Sequence, residues 1–227
     1  MIKAQRKGLE EIIKMIGSKK KLLIAGCGTC VSICFAGGDK EVSMLSSELK
    51  MALKNKKITI NQVVPQRQCE KEFNQEIKDQ VVKADLVVSL ACGVGVQVLA
   101  EQFPKAKVVP GLNTLFMGPP KEQGVWFENC AGCGNCVLDL TGGICPVARC
   151  AKNILNGPCG GSQNGKCEVS KDTDCGWQLI VDKLKSQGRL KDINKVWEAK
   201  NWQTARDGGP REIRREDLLL KHQITNK

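Results

Sequence analysis

Thirteen cysteines and a single histidine, His222, define the chemistry open to this 227-residue chain. The densest group lies in ENCAGCGNCVLDLTGGICP, where Cys130, Cys133 and Cys136 form a C-x2-C-x2-C triplet and Cys145-Pro146 follows. That triplet with a cysteine-proline ending is the spacing bacterial ferredoxins use to bind iron-sulfur clusters. Cys150, Cys159, Cys167 and Cys175 continue at irregular intervals, so the segment holds eight thiols, enough by count for two quartets. A second group, Cys27, Cys30 and Cys34 in GCGTCVSICFAGG, has the spacing C-x2-C-x3-C, with Cys69 in PQRQCE and Cys92 in LACGVG further along. Short spacings of this kind let neighbouring sulfurs reach different irons of a [4Fe-4S] cluster, and glycines such as Gly26, Gly28, Gly93 and Gly95 let the backbone approach it closely.

With one histidine, zinc sites needing two or three imidazoles are excluded, and any metal is held mainly by sulfur, which selects zinc or iron-sulfur. The start MIKAQRKGLEEIIKMIG has no uninterrupted apolar run and no small-residue cleavage site, so the reading is a cytoplasmic chain without membrane insertion. In that reducing compartment, thiols bind metal or do redox chemistry more often than they form disulfides, and an odd number cannot all pair. The net charge of +11 would suit an anionic partner, but a [4Fe-4S] cluster on four thiolates carries roughly −2, so part of the excess is internal compensation. With aromatic residues at 4% and no tyrosine, stacking platforms are scarce, which argues against nucleic acid as the partner.

These thiols need elements to position them. KLLIAG, KITINQVV, DLVVSLA and AKVVPG read as strands buried mostly on both faces, separated by DKEVSMLSSELKMALKNK, CEKEFNQEIKDQVVKA and GVQVLAEQF, which have helical spacing. Alternation of this kind predicts an α/β fold: a small parallel sheet with right-handed crossovers and flanking helices, with one further helix over about Ala4 to Gly17 on an edge. Cys27, Cys30 and Cys34 then follow the first strand, Cys69 the second and Cys92 the third, all at the carboxyl edge where open sheets bind ligands. Whether Cys69 or Cys92 completes the first site stays open, with Cys92 slightly favoured by its glycine-rich surroundings. A dinucleotide site is the rival, since Gly26-x-Gly28 follows a strand. The third glycine would fall at Val31, however, and VVPQRQ lacks the acidic residue that binds a ribose.

The expected organisation is an α/β Rossmann-like domain over 1–120, a Cys-rich metal-stabilised module over 121–180 with MGPPKEQGVWFEN as linker, and a helix plus basic, irregular partner-docking tail over 181–227. The module is too poor in aliphatic residues for an ordinary core and should need metal to fold. A structural four-thiolate zinc is the alternative there to a cluster.

The strings RQCEKEF, LACGVGVQ, GLNTLF, TGGICPVARCAKNILNGPCGGSQNGKCEV and DGGPREI resemble the small, cysteine-rich subunit of bacterial two-subunit methylenetetrahydrofolate reductases, whose Cys-rich part is called the methylenetetrahydrofolate reductase C-terminal domain. The resemblance covers nearly the whole chain. It implies a flavin-bearing (β/α)8-barrel reductase subunit as partner, with the folate and flavin site on that partner and no catalytic residue in this chain. It further implies two [4Fe-4S] clusters, with room for a third, on the thirteen cysteines already named, relaying single electrons from a ferredoxin or another donor protein. Members of the family are described both as zinc-binding and as iron-sulfur proteins, so a zinc-stabilised scaffold that carries no electrons is the alternative the resemblance leaves open.

Overall fold

The computed structural model of the protein describes residues 1–206, 209–213 and 215–218. His222, most of the basic end RREDLLLKHQITNK, and Asp207 and Gly208 of DGGPREI lie outside the described residues. The chain divides into two compact units, Met1–Glu128 and Asn129–Lys227.

The first unit opens with β1 (Ile2–Arg6) and α1 (Leu9–Ile16), where the sequence predicts a single helix. Gly8 sits in an extended conformation between them, and β1 is held by antiparallel pairing to a strand more than a hundred residues away, with Ala4 opposite Thr114 and Arg6 opposite Leu112. Such a distant partner is invisible to local periodicity. The elements that follow are β2 (Lys21–Ala25), α2 (Cys30–Ile33), α3 (Asp39–Ala52), β3 (Thr59–Val63), α4 (Lys71–Glu76), α5 (Lys78–Lys83), β4 (Leu86–Ser89), α6 (Gly93–Gln102) and β5 (Val108–Pro110). The four strands expected from the sequence form one parallel sheet in the order β3-β2-β4-β5, with β2 pairing in register to both β3 and β4. From β2 the chain first crosses outward to the edge strand β3 and then back past β2 to β4. In open sheets a reversal of this kind marks the carboxyl edge, here that of β2 and β4, as the place where ligands bind.

Burial on both faces explains the unbroken apolar runs. Leu22, Ile24, Leu86 and Val88 pack with Ile12, Ile16, Val42, Leu45 and Leu49 from α1 and α3. The alternate residues Leu23, Ala25 and Val87 pack with Ile77, Val81, Leu99 and Phe103 on the opposite face. Each fully buried Leu, Ile or Val contributes about 1.5–3 kcal/mol, and strand periodicity divides them between the two layers. The edge strand β3 is only half covered, which is why TINQV is polar. The chain continues into β6 (Leu112–Met117), the partner of β1, and a small hairpin of β7 (Pro120–Glu122) and β8 (Val125–Trp126). The stretch MGPPKEQGVWFEN, expected to be a linker, is therefore paired structure, turned at Gly124 with φ 86° and anchored by Trp126 against the first core layer.

The second unit contains α7 (Pro146–Arg149), the short antiparallel pair β9 (Lys166–Cys167) and β10 (Ser170–Asp174), and α8 (Gly176–Ser186). It has a small core of Cys175, Trp177, Ile180 and Leu184, joined by Ile144, Cys150, Ile154, Ile193 and Trp197. The Trp177 indole donates to the Ile154 carbonyl at 2.7 Å, and its ring lies 5.8 Å from that of Trp197. Beyond α8 the described chain includes 3-10 turns at Leu190–Asn194, Trp202–Thr204 and Glu216–Leu218. Among the described residues no helix is long and apolar enough to cross a membrane.

Candidate metal centre

Three loops leave the carboxyl edge of the parallel sheet, and each carries a thiol. Cys27 follows β2 and is buried, with its sulfur 3.8 Å from the Thr29 hydroxyl. Cys69 stands on the loop from β3 into α4, and Cys92 is the half-buried N-cap of α6, at the helix end where negative charge is favoured. The Cys69 thiol is pushed above the usual cysteine range, first by partial desolvation although its side chain reaches the surface, then by the field of Cys27. Cys92 and Glu70 add to that rise against an opposing backbone hydrogen bond.

Cys30 begins α2, three residues after Cys27, and is half-buried. Cys34 is turned elsewhere: it is 2% exposed, belongs to the apolar layer under β1, and its sulfur lies 3.8 Å from the Ala4 carbonyl and 3.7 Å from that of Val31. The sequence groups all five thiols at one edge. The structure places Cys27, Cys69 and Cys92 on three loops of that edge; Cys27 and Cys34 are both buried in the apolar layer, and Cys34 is the one that faces β1.

The loop after β2 is drawn tightly over the sheet. The Cys27 amide donates to the Gly37 carbonyl at 2.9 Å and the Gly28 amide to the Pro65 carbonyl at 3.1 Å. A Cβ on Gly37 would lie 1.9 Å from the Leu90 carbonyl oxygen, so only glycine lets this loop cross the β4 exit. Beneath the thiols lies a polar network that sequence reasoning missed. Gln68, Ser89 and Asn74 are completely buried, and Ser89 and Asn74 each donate a hydrogen bond to Gln68. A glutamine in a polar loop carries no periodic signal that would have marked it.

The second unit distributes its eight cysteines over loops and helix starts. Cys130, Cys133 and Cys136 lie on the open chain before α7, Cys130 accepting the Gly132 amide at 3.4 Å and the Cys133 thiol reaching the Asn135 carbonyl at 3.9 Å. Cys145 and Cys175 are the N-caps of α7 and α8, while Cys150 packs at the edge of the small core. Cys167 ends β9 and is half-buried. The exposed Cys159 accepts the Gly161 amide at 3.4 Å; that bond, and after it the ammonium of Lys152, holds its thiol below the usual cysteine range.

All thirteen cysteines are free, so none is consumed by a disulfide. Among the described residues no three Cys, His, Asp or Glu side chains stand at metal-ligating spacing. The donor chemistry nonetheless fits thiophilic centres: free thiols on the loops of one sheet edge in the first unit, and in the second unit backbone amides donating to sulfur around Cys130 and Cys159. Residues 109–203 match the family model described as Methylene-tetrahydrofolate reductase C terminal, a segment running from β5 through the cysteine-rich part of the second unit. No curated protein and no solved structure shows a significant match to the chain.

Proposed function

We propose that the chain is the electron-carrying subunit of a methylenetetrahydrofolate reductase complex. Bound [4Fe-4S] clusters would supply one-electron chemistry between an external donor such as a ferredoxin and the flavin of a partner barrel subunit. The observation that carries this reading is that Cys27, Cys69 and Cys92 sit on three separate loops, after β2, β3 and β4, at the carboxyl edge of one parallel sheet. Cys30 supplies the fourth thiolate from the loop that already bears Cys27, and Cys34 serves the core. In the second unit Cys130, Cys133 and Cys136 supply the tight triplet, and Cys145, Cys150, Cys159, Cys167 and Cys175 provide the remaining donors. The match over residues 109–203 supports association with a reductase of that type. In this reading the chain's part is to hold the thiolates and to orient them by backbone hydrogen bonds such as those to Cys130 and Cys159.

Oxygen-free purification followed by iron, sulfide and zinc analysis tests the proposal. Two clusters give roughly eight irons per chain and a paramagnetic signal on reduction. Zinc without iron would overturn it and leave a thiolate-zinc scaffold. Cys27→Ala should abolish reduction of the partner's flavin by a low-potential donor while sparing reduction by a dye that reaches the flavin directly.

A further inference from the structure

We infer that Gln68 is a positioning residue that locks the three thiol-bearing loops of the sheet edge together. Its side-chain amide donates to the Ala25 carbonyl at 2.9 Å and the Gly26 carbonyl at 2.6 Å, and its side-chain oxygen accepts the Ser89 hydroxyl at 2.7 Å. Its own backbone carbonyl accepts the Asn74 side-chain amide at 2.9 Å. Gly26 directly precedes Cys27, Gln68 directly precedes Cys69, and Ser89 ends the strand three residues before Cys92. One buried amide therefore ties the exits of β2, β3 and β4, each within a few residues of a thiol. The start of α6 closes over it: a Cβ at Gly95 would lie 3.0 Å from the Gln68 Cβ.

An apolar side chain of similar length could fill this space, but it could not make the connection. A buried amide is tolerated only when bonded, and this one spends both N–H donors on the loop of Cys27 and an acceptor on the strand leading to Cys92. Every bond it makes fixes the direction in which a neighbouring loop leaves the sheet. The consequence is that the mutual placement of Cys27, Cys69 and Cys92 is set in the metal-free chain by Gln68, before any metal arrives. This rests on the electron-transfer reading only in that the thiols are taken to act as one set.

The test uses the reduced, metal-stripped full chain and phenylarsine oxide, which condenses with two adjacent thiols to form two As–S bonds and release one water. Peptide mapping then quantifies bridges from Cys69 to Cys27 or Cys92. Gln68→Met, which keeps length and volume but makes none of the side-chain bonds, is expected to lower those bridges by about tenfold or more. Ser89→Ala, which removes a single bond, is expected to lower them about fivefold, the population shift of one ordinary hydrogen bond. Bridging among the cysteines from Cys130 to Cys175 should stay constant in both.

Unchanged Cys69 bridging in a folded variant, or no Cys69 bridge in the native chain, overturns the inference. If Gln68→Met does not fold, Ser89→Ala decides. In iron-loaded protein Ser89→Ala should also shift the signal of the first site at unchanged iron content. If the native chain takes no iron while bridging still depends on Gln68, the electron-transfer reading fails and the positioning role stands. If the chain takes iron while bridging is indifferent to Gln68, the positioning role fails and electron transfer stands.

Discussion

Cys34→Ala separates the two roles a thiol in the loop after β2 can play. Cys34 is 2% exposed and its sulfur faces the carbonyls of Ala4 and Val31 under β1, within the layer that includes Ala4, Val31 and Leu112. Replacing it by alanine removes one heavy atom from a packed site. The transfer loss is about 0.8 kcal/mol, as for a methylene, and the small cavity left behind raises the total to about 1–1.5 kcal/mol. For a unit the size of Met1–Glu128 this lowers the thermal midpoint by roughly 3–6 °C. Two measurements on one variant give the answer: the midpoint of the first unit in metal-free protein, and iron per chain after anaerobic reconstitution. The expected result is a lowered midpoint with unchanged iron, beside a Cys27→Ala control that loses iron. Loss of iron by Cys34→Ala equal to that of Cys27→Ala, with the midpoint unmoved, would refute the assignment of Cys34 to the core.

Gly37→Ala drives a Cβ to 1.9 Å from the Leu90 carbonyl, a backbone atom that cannot step aside, so reconstituted iron at the first site should fall more than about tenfold; normal uptake would show that the loop has another route across the sheet. Trp177→Ala should cost the second unit about 3–5 kcal/mol, read as early urea unfolding of that unit while the first keeps its midpoint, and no change would mean the small core contributes little. Asp85 accepts the amides of Lys21 and Lys20 at 2.9 and 3.1 Å, and those bonds hold its carboxyl below the usual carboxylate range. Its contribution is thus complete above the ordinary carboxylate pKa and lost as pH falls through the lowered one; Asp85→Asn should weaken that part of the acid dependence, and superimposable acid profiles would contradict it. Cys159 is held below the usual thiol range by the Gly161 amide and then by Lys152, so in metal-free protein its alkylation by iodoacetamide at neutral pH should outpace that of an unstructured cysteine peptide and slow in part in Lys152→Ala; an unchanged rate would remove Lys152 from the account.

The four parallel strands were legible because the central β2 and β4 are short aliphatic runs buried on both faces, the partly covered edge strands β3 and β5 still carry β-branched residues, and the helices between them repeat apolar residues at helical spacing. The same local signals misjudge the ends of the first unit. Ile2–Arg6 lies beside a true amphipathic helix and reads as its first turn until β6 arrives to pair with it. The hairpin around Gly124 hides in a stretch rich in proline, glycine and charge. The second unit's core is likewise sparse in sequence and depends on Trp177 and Trp197 meeting across twenty residues.

Chemistry type was read from composition: thirteen thiols against one histidine make sulfur the expected donor to any metal, whatever the fold. That three of the first five cysteines would follow three strands was also written in their positions. Which thiol of the loop after β2 is buried under β1 was not, because Cys34 and Cys30 differ by four residues, and only the packing of β1 over that loop turns one of them toward the core. Gln68 makes the same point more sharply, since its partners come from the ends of β2 and β4, and a bond between residues forty positions apart exists only once the sheet has brought them together.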